Sequence, residues 1–203
     1  STLTRYPTQF DVAETNSSFH RPHRVSTWQR WRDSVPKDFR FSVKLPKQIT
    51  HTRRLVDCAD ELEEFLQQAQ TLGDKLAVLL VQLPPKLSFD PVLARNFFAH
   101  LIPRAGAAVA CEPRHVSWFA TEASLLLDQL GVSRVAADPA VCKAASQPSG
   151  GGLRYWRLHG SPNIYRSSYL DRIPDYAAQL KNEATRGRDV WCIFDNTASS
   201  AGT

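Results

Sequence analysis

The sequence predicts an α/β fold on a parallel sheet, either an open doubly wound sheet or a TIM-like (β/α) barrel. Three observations carry this. Short apolar, β-branched segments alternate with longer amphipathic ones. Most of the short segments run straight into polar residues at their C-terminal ends. Neither GxGxxG nor GxxxxGK follows any of them, which removes the two commonest nucleotide-binding forms of the open sheet.

The strand candidates are Phe10–Asn16, Phe39–Leu45, Leu76–Leu83, Ala107–Arg114, Arg134–Asp138, Leu153–His159 and Val190–Asn196. "VSTWQRWRDSV" (Val25–Val35) has a helical pattern, as does "DCADELEEFLQQAQTLG" (Asp57–Gly73), which ends on a stop glycine. "DPVLARNFFAHL" begins with Asp90 as cap and Pro91 as first helical residue. "TEASLLLDQLG" has Thr121 as expected cap and Gly131 as stop. The pattern from Ser168 is interrupted by Pro174, where the last helix is expected to start. Ser146–Gly152, "SQPSGGG", reads as a loop too short to separate domains, so residues 1–203 are expected to form one domain.

Composition narrows the function classes. The 203 residues are 42% hydrophobic and 22% charged, ordinary globular values. A net charge of +5 permits nucleic acid or phosphorylated partners. No apolar run reaches the ~18 residues of a membrane span, and the start lacks a signal-peptide pattern. Cys58, Cys111, Cys142 and Cys192 form no CxxC pair, which suits reduced thiols and a cytoplasmic location. Met is absent even at residue 1, so the chain is expected to be processed, truncated or missing modified residues.

Strand alternation turns the polar ends into a site. Residues i and i+2 share a face. That pairs Glu14 with Asn16, Glu112 with Arg114, and Arg157 with His159 at three separate strand ends. Lys44, Gln82, Asp138 and the pair Asp195–Asn196 end the others. In parallel sheets such ends meet at one mouth or crevice, where chemistry gathers. The competing interpretation is a plug of mutually neutralising ion pairs.

Several pieces carry a family resemblance: "ETNSSFHRP", "PKDFRFSVKLPKQITHTRRL", "LLVQLPPKL", "CEPRHVSWF", "AADP", "YWRLHG" and "FDNTASSA". In this order they resemble the YecE-like family, the domain of unknown function numbered seventy-two. The resemblance implies a TIM-barrel-like fold and brings no established activity. It also implies that this chain lacks the family's opening Gly-Thr-Ser-Gly-Trp strand and its final helix. Seven strand candidates fall short of eight, and 203 residues fall short of the roughly 250 usual for the barrel. His20 stands where the family usually has Tyr, and Asp195 where it usually has Asn.

The resulting expectation is an enzyme acting on an anionic, phosphate-bearing substrate, as a phosphoester or glycoside hydrolase. Glu112, Glu14 and His159 are its acid–base candidates, Glu112 on condition that its surroundings raise its pKa. The substrate-binding candidates begin with Asn16, Lys44, Gln82 and Arg114. Arg114 suits a bidentate anion contact. Trp118, Asp138, Arg157, Tyr165 and Asn196 complete them, with Trp118 either stacking on substrate or packing in the core. Glu14, His51, Glu112, Asp138, His159 and Asp195 supply donor atoms for a divalent metal, but no HxH, HExxH or CxxC spacing favours one. No GxSxG elbow supports acyl transfer. Two alternatives stand beside the enzyme. One is a nucleic-acid-binding or nucleic-acid-processing barrel gripping phosphates with Arg21, Arg24, Arg53 and Arg54. The other is a noncatalytic metabolite-binding protein.

Overall fold

A computed structural model describes residues 6–198. The chain divides into two compact units, with the boundary between Val109 and Ala110.

In the first unit three parallel strands lie side by side: β1 (Val12–Thr15), β2 (Arg40–Lys44) and β3 (Leu76–Gln82). The register sets Glu14 opposite Ser42 and Lys44 opposite Leu80. Phe41, Val43, Val78, Leu79 and Leu80 are buried, as expected for a parallel sheet covered on both faces. Helices α1 (Val25–Asp33), α2 (Ala59–Ala69) and α3 (Pro91–Ala105) accompany them. Along α2, Leu62, Phe65, Leu66 and Ala69 form a buried stripe at helical spacing. Asp90 caps α3 as expected. Its carboxylate accepts from the Val92 and Leu93 N–H groups, each at 2.9 Å.

The second unit contains β4 (Ala108–Glu112) from Ala110 onward, β5 (Ser133–Arg134), β6 (Ala136–Asp138), β7 (Leu153–Leu158) and β8 (Asp189–Phe194), with α4 (Thr121–Gln129) and α5 (Ile173–Thr185). β4 pairs with β5, and β6, β7 and β8 form a parallel set. The expected strand Arg134–Asp138 is thus two short ones. Its first half pairs with β4, its second half with β7, and Val135 between them donates to the Cys111 carbonyl at 2.8 Å. Thr121 is the first helical residue of α4 and not its cap, because Ala120 is extended and accepts from Ser124. The last helix begins one residue before Pro174, leaving the proline in the first turn, where its missing N–H costs nothing.

All four cysteines are free thiols. No helix among the described residues is long and apolar enough to cross a membrane.

Asp90 is exposed, so its contribution is that of the cap. Asp90→Ala should lower unfolding free energy by about 0.5–2 kcal/mol, and Asp90→Asn should retain most of it. Urea melts with an unchanged slope would measure this.

Candidate active site

Glu112 ends β4 with no exposed surface. An ionised carboxylate in that position needs partners, and three cationic side chains supply them. Arg157, equally buried on β7, donates from Nη1 to Glu112 Oε2. Arg114 Nη2 lies 2.6 Å from Oε1. His159 Nε2 lies 3.0 Å from the same Oε1. Burial pushes the Glu112 carboxyl up, but Arg157, Arg114 and His159 outweigh it and hold it well below the ordinary carboxylate range. The condition attached to Glu112 as a general acid is therefore not met. Its charge is pinned, and it positions the groups around it.

His159 follows β7. Its backbone N–H donates to the Asp138 carbonyl at 2.8 Å. Its ring bridges two carboxylates, with Nδ1 2.9 Å from Asp195 Oδ2 and Nε2 on Glu112. Only the imidazolium donates to both. Burial opposes that form, but hydrogen bonds to Asp195 and Glu112 raise the His159 pKa above its ordinary value. Arg157 Nη2 also reaches Asp195 Oδ2, at 3.2 Å. Register explains how these residues meet. Arg157 lies opposite Ile193, so the residues just past β7 and β8 emerge side by side, and the Asp195 N–H donates to the Leu158 carbonyl.

Arg114 is the outlying cation. Its side chain is 19% exposed, and its only carboxylate partner among the described residues is Glu112, already shared with Arg157 and His159. Its Nη2 is also 2.7 Å from His159 Nε2. With His159 protonated, two cations crowd one carboxylate oxygen. Asp195, also 19% exposed, is the carboxylate of this cluster with solvent access.

Asp138 has different company. Its carboxylate accepts from Arg172 at 2.6 Å and from the Tyr176 hydroxyl at 3.2 Å. Tyr169 donates to the Asp138 carbonyl and accepts from the Gly160 N–H, and the Arg172 guanidinium stacks 4.5 Å from its ring centroid. Burial, and then Asp138, push the Tyr176 phenol up to about 12 and the Tyr169 phenol higher. These four side chains tie the chain after β7 to the end of β6.

That connection carries Tyr165, which is exposed, has a positive φ of 66° and sets its ring edge-on to His159 at 6.1 Å. Asn196 is fully buried, and its amide donates to the Ser167 carbonyl at 2.8 Å, holding the same connection. Trp118 is buried in the short turn Val116–Phe119, which His115 caps through Nδ1.

Glu14, Asn16, Lys44 and Gln82 belong to the first unit. Glu14 is half-buried on β1, and Asn16 lies beyond its end, ahead of the single helical turn Ser17–His20. Lys44 is buried, with Nζ 4.0 Å above the Phe19 ring. Gln82 is half-buried at the end of β3. The structure therefore brings Glu112, Arg114, Arg157 and His159 into one network and adds Asp195, which the sequence marked as a polar strand end and a metal-donor candidate but not as a catalytic or substrate-binding residue. Among the described residues no three His, Cys, Asp or Glu side chains are grouped to hold a metal ion.

Two measurements test the network. Glu112→Gln removes the fully buried carboxylate that balances Arg157 and should cost about 3–5 kcal/mol of stability. The pH dependence follows from the two shifts. His159 is raised, so its contribution is complete below its ordinary 6.5 and is lost as pH climbs through its folded value. Glu112 is depressed, so its contribution is present above its ordinary 4.5 and is lost only as pH falls through its folded value. Thermal melts should show a plateau between these limits and an alkaline decline that His159→Gln removes.

Comparison with known proteins supplies the family. All of residues 1–203 match the family model described as "Protein of unknown function DUF72". The chain is similar to UPF0759 protein YecE of Escherichia coli K12, at 30% identity over 150 residues covering 71% of this chain and 55% of that protein. The YecE protein of Escherichia coli O157:H7 is 29% identical over the same shares. The match thus spans little more than half the length of these relatives. In structure the chain is similar to DUF72 protein EF0366 of Enterococcus faecalis V583, with a TM-score of 0.82 at 17% identity, over 100% of this chain and 84% of that one. DUF72 protein TM1631 of Thermotoga maritima MSB8 gives 0.81 at 20% identity, over 98% and 84%. At those identities the likeness speaks for the fold alone, while the sequence match settles membership: this chain belongs to the DUF72 family.

Proposed function

We propose that the protein is an enzyme acting on a small phosphate-bearing substrate, with Arg114 as the anion contact and Asp195 as the proton acceptor. The observation that carries this reading is the position of Arg114. It is partly exposed, leans on a carboxylate that Arg157 and His159 also hold, and has its Nη2 2.7 Å from His159 Nε2. A bound anion relieves that crowding and meets a guanidinium suited to phosphate oxygens.

Asp195 has the solvent access that Glu112 lacks. His159 and Arg157 both hold its Oδ2, which fixes the carboxylate for taking a proton from water or substrate. Arg114 then faces the charge that develops on the phosphoryl oxygens. A phosphoester suits this arrangement better than a glycoside, whose hydrolysis needs two reachable carboxyl groups. We favour the TIM-like barrel as the architecture on the strand–helix alternation, and a cytoplasmic setting on the four free thiols. The nucleic-acid reading has less support. Arg53 is paired with Glu61 at 2.8 Å and Arg54 donates to the Lys86 carbonyl, which engages two of its four phosphate contacts.

Calorimetric titration with inorganic phosphate tests binding. Arg114→Ala should weaken it at least tenfold, and wild-type affinity should fall as pH rises through the raised His159 value. Equal affinity in Arg114→Ala would remove the reading. A phosphomonoester panel tests chemistry, where Asp195→Asn should lower turnover by about 10²–10⁴. Phosphate binding with no turnover of any ester would favour the metabolite-binding alternative.

A further inference from the structure

The first unit contains a cleft of about 390 Å³, within the range of roughly 300–1,000 Å³ typical of small-molecule sites. None of Glu112, Arg114, Arg157, His159 and Asp195 lines it. We propose that this cleft is a second binding site, selective for a flat heteroaromatic anion.

Its apolar side is built from rings. Phe19, Trp28 and Phe65 line it, with Pro22 and Pro46 as rigid flanks. Phe19 is held in place by Lys44 above its face and by the His51 ring edge-on at 4.9 Å. Trp28 is 1% exposed, and its indole meets His23 edge-on at 5.5 Å. His23 in turn bonds Ser17 through Nε2 at 2.9 Å and packs against Trp31 at 5.0 Å. Phe19, partly exposed and backed by the buried Trp28 and Phe65, is thus a pre-formed ring against which a planar ligand stacks or meets an edge at little ordering cost.

The charges are divided between two sides. On α2, Glu61, Glu64, Phe65 and Gln68 stand at helical spacings of three, four and seven, so one stripe of the helix forms a wall. Glu61 is already paired with Arg53, and Glu64 accepts from Gln68 at 3.2 Å. On the loop sides Arg21 and Lys47 are exposed and make no ion pair among the described residues. The uncommitted cations therefore select an anion. The carboxylate and amide groups of Glu64 and Gln68 offer hydrogen bonds to ring N–H or amino groups. One molecule satisfies both sides when it carries a nitrogen heterocycle at one end and a carboxylate or phosphate at the other.

Calorimetry on the intact protein tests this with two matched pairs, indole-3-acetate against indole and adenosine 5′-monophosphate against adenosine. The pairs separate a carboxylate from a phosphate as the preferred anion. In at least one pair the anion should bind tenfold or more tightly than its neutral partner. Measured on the Arg114→Ala background, where the phosphate site proposed above contributes no binding, the preference should persist, and adding Arg21→Ala/Lys47→Ala, both surface changes, should abolish it. On that background, neutral probes binding as well as anions, a preference that survives the double change, or no binding of either anion at millimolar concentration would each overturn the assignment.

Discussion

The buried ion pair between Glu112 and Arg157 is the constraint on which the second unit's polar architecture depends. Two fully desolvated charges are tolerated only when their remaining hydrogen-bonding groups are also met. Arg157 therefore reaches Asp195 with its second terminal nitrogen, and Glu112 turns its second oxygen to Arg114 and His159. His159 closes the circuit by joining the two carboxylates. The same geometry holds Glu112 ionised and leaves Arg114 and Asp195 as the partly exposed members of the network.

The segment after β7 depends on a second set of polar contacts. Tyr169, Arg172 and Tyr176 converge on Asp138, and Asn196 holds the Ser167 carbonyl. Gly160 has a φ of +95°, and a Cβ there would lie 2.8 Å from the Asn163 carbonyl oxygen. That close approach requires glycine. It lets the chain reverse directly after His159 and place Tyr165 beside the imidazole. Asp138 thus acts through the position of this connection, with its carboxylate committed to Arg172 and Tyr176.

In the first unit, backbone strain shapes the cleft. A π-type turn, Gln48–Thr52, is followed by Arg54, Leu55 and Asp57 with φ of 52°, 71° and 44°. Each such non-glycine residue costs on the order of 1–3 kcal/mol. Burial of Leu55 and its N–H bond to the Ile49 carbonyl at 3.1 Å offset part of that cost. The segment presents Gln48 and Thr52 to the cleft and Arg53 to Glu61. Its basic residues had suggested a phosphate-gripping loop. Within it Arg53 pairs with Glu61 on α2, and Arg54 donates to the Lys86 carbonyl.

Strand periodicity by itself paired the polar residues that end β4 and β7. Glu112 with Arg114 and Arg157 with His159 were legible as pairs because side-chain alternation is a local property of extended backbone. The motif order likewise identified the family, and the Asp-Pro start of α3 its cap. Tertiary structure alone decided what those groups do. Whether Glu112 is raised or depressed depends on Arg157 and His159, 45 and 47 residues away, as well as on its neighbour Arg114, and no local pattern encodes the approach of the distant two. Asp195 became a member of the network through the register between β7 and β8. The division of Ser133–Asp138 into two strands likewise follows from having different neighbours at its two ends. Periodicity constrains which face a side chain takes. Burial and partners arise from contacts distant in sequence, and those set its charge state.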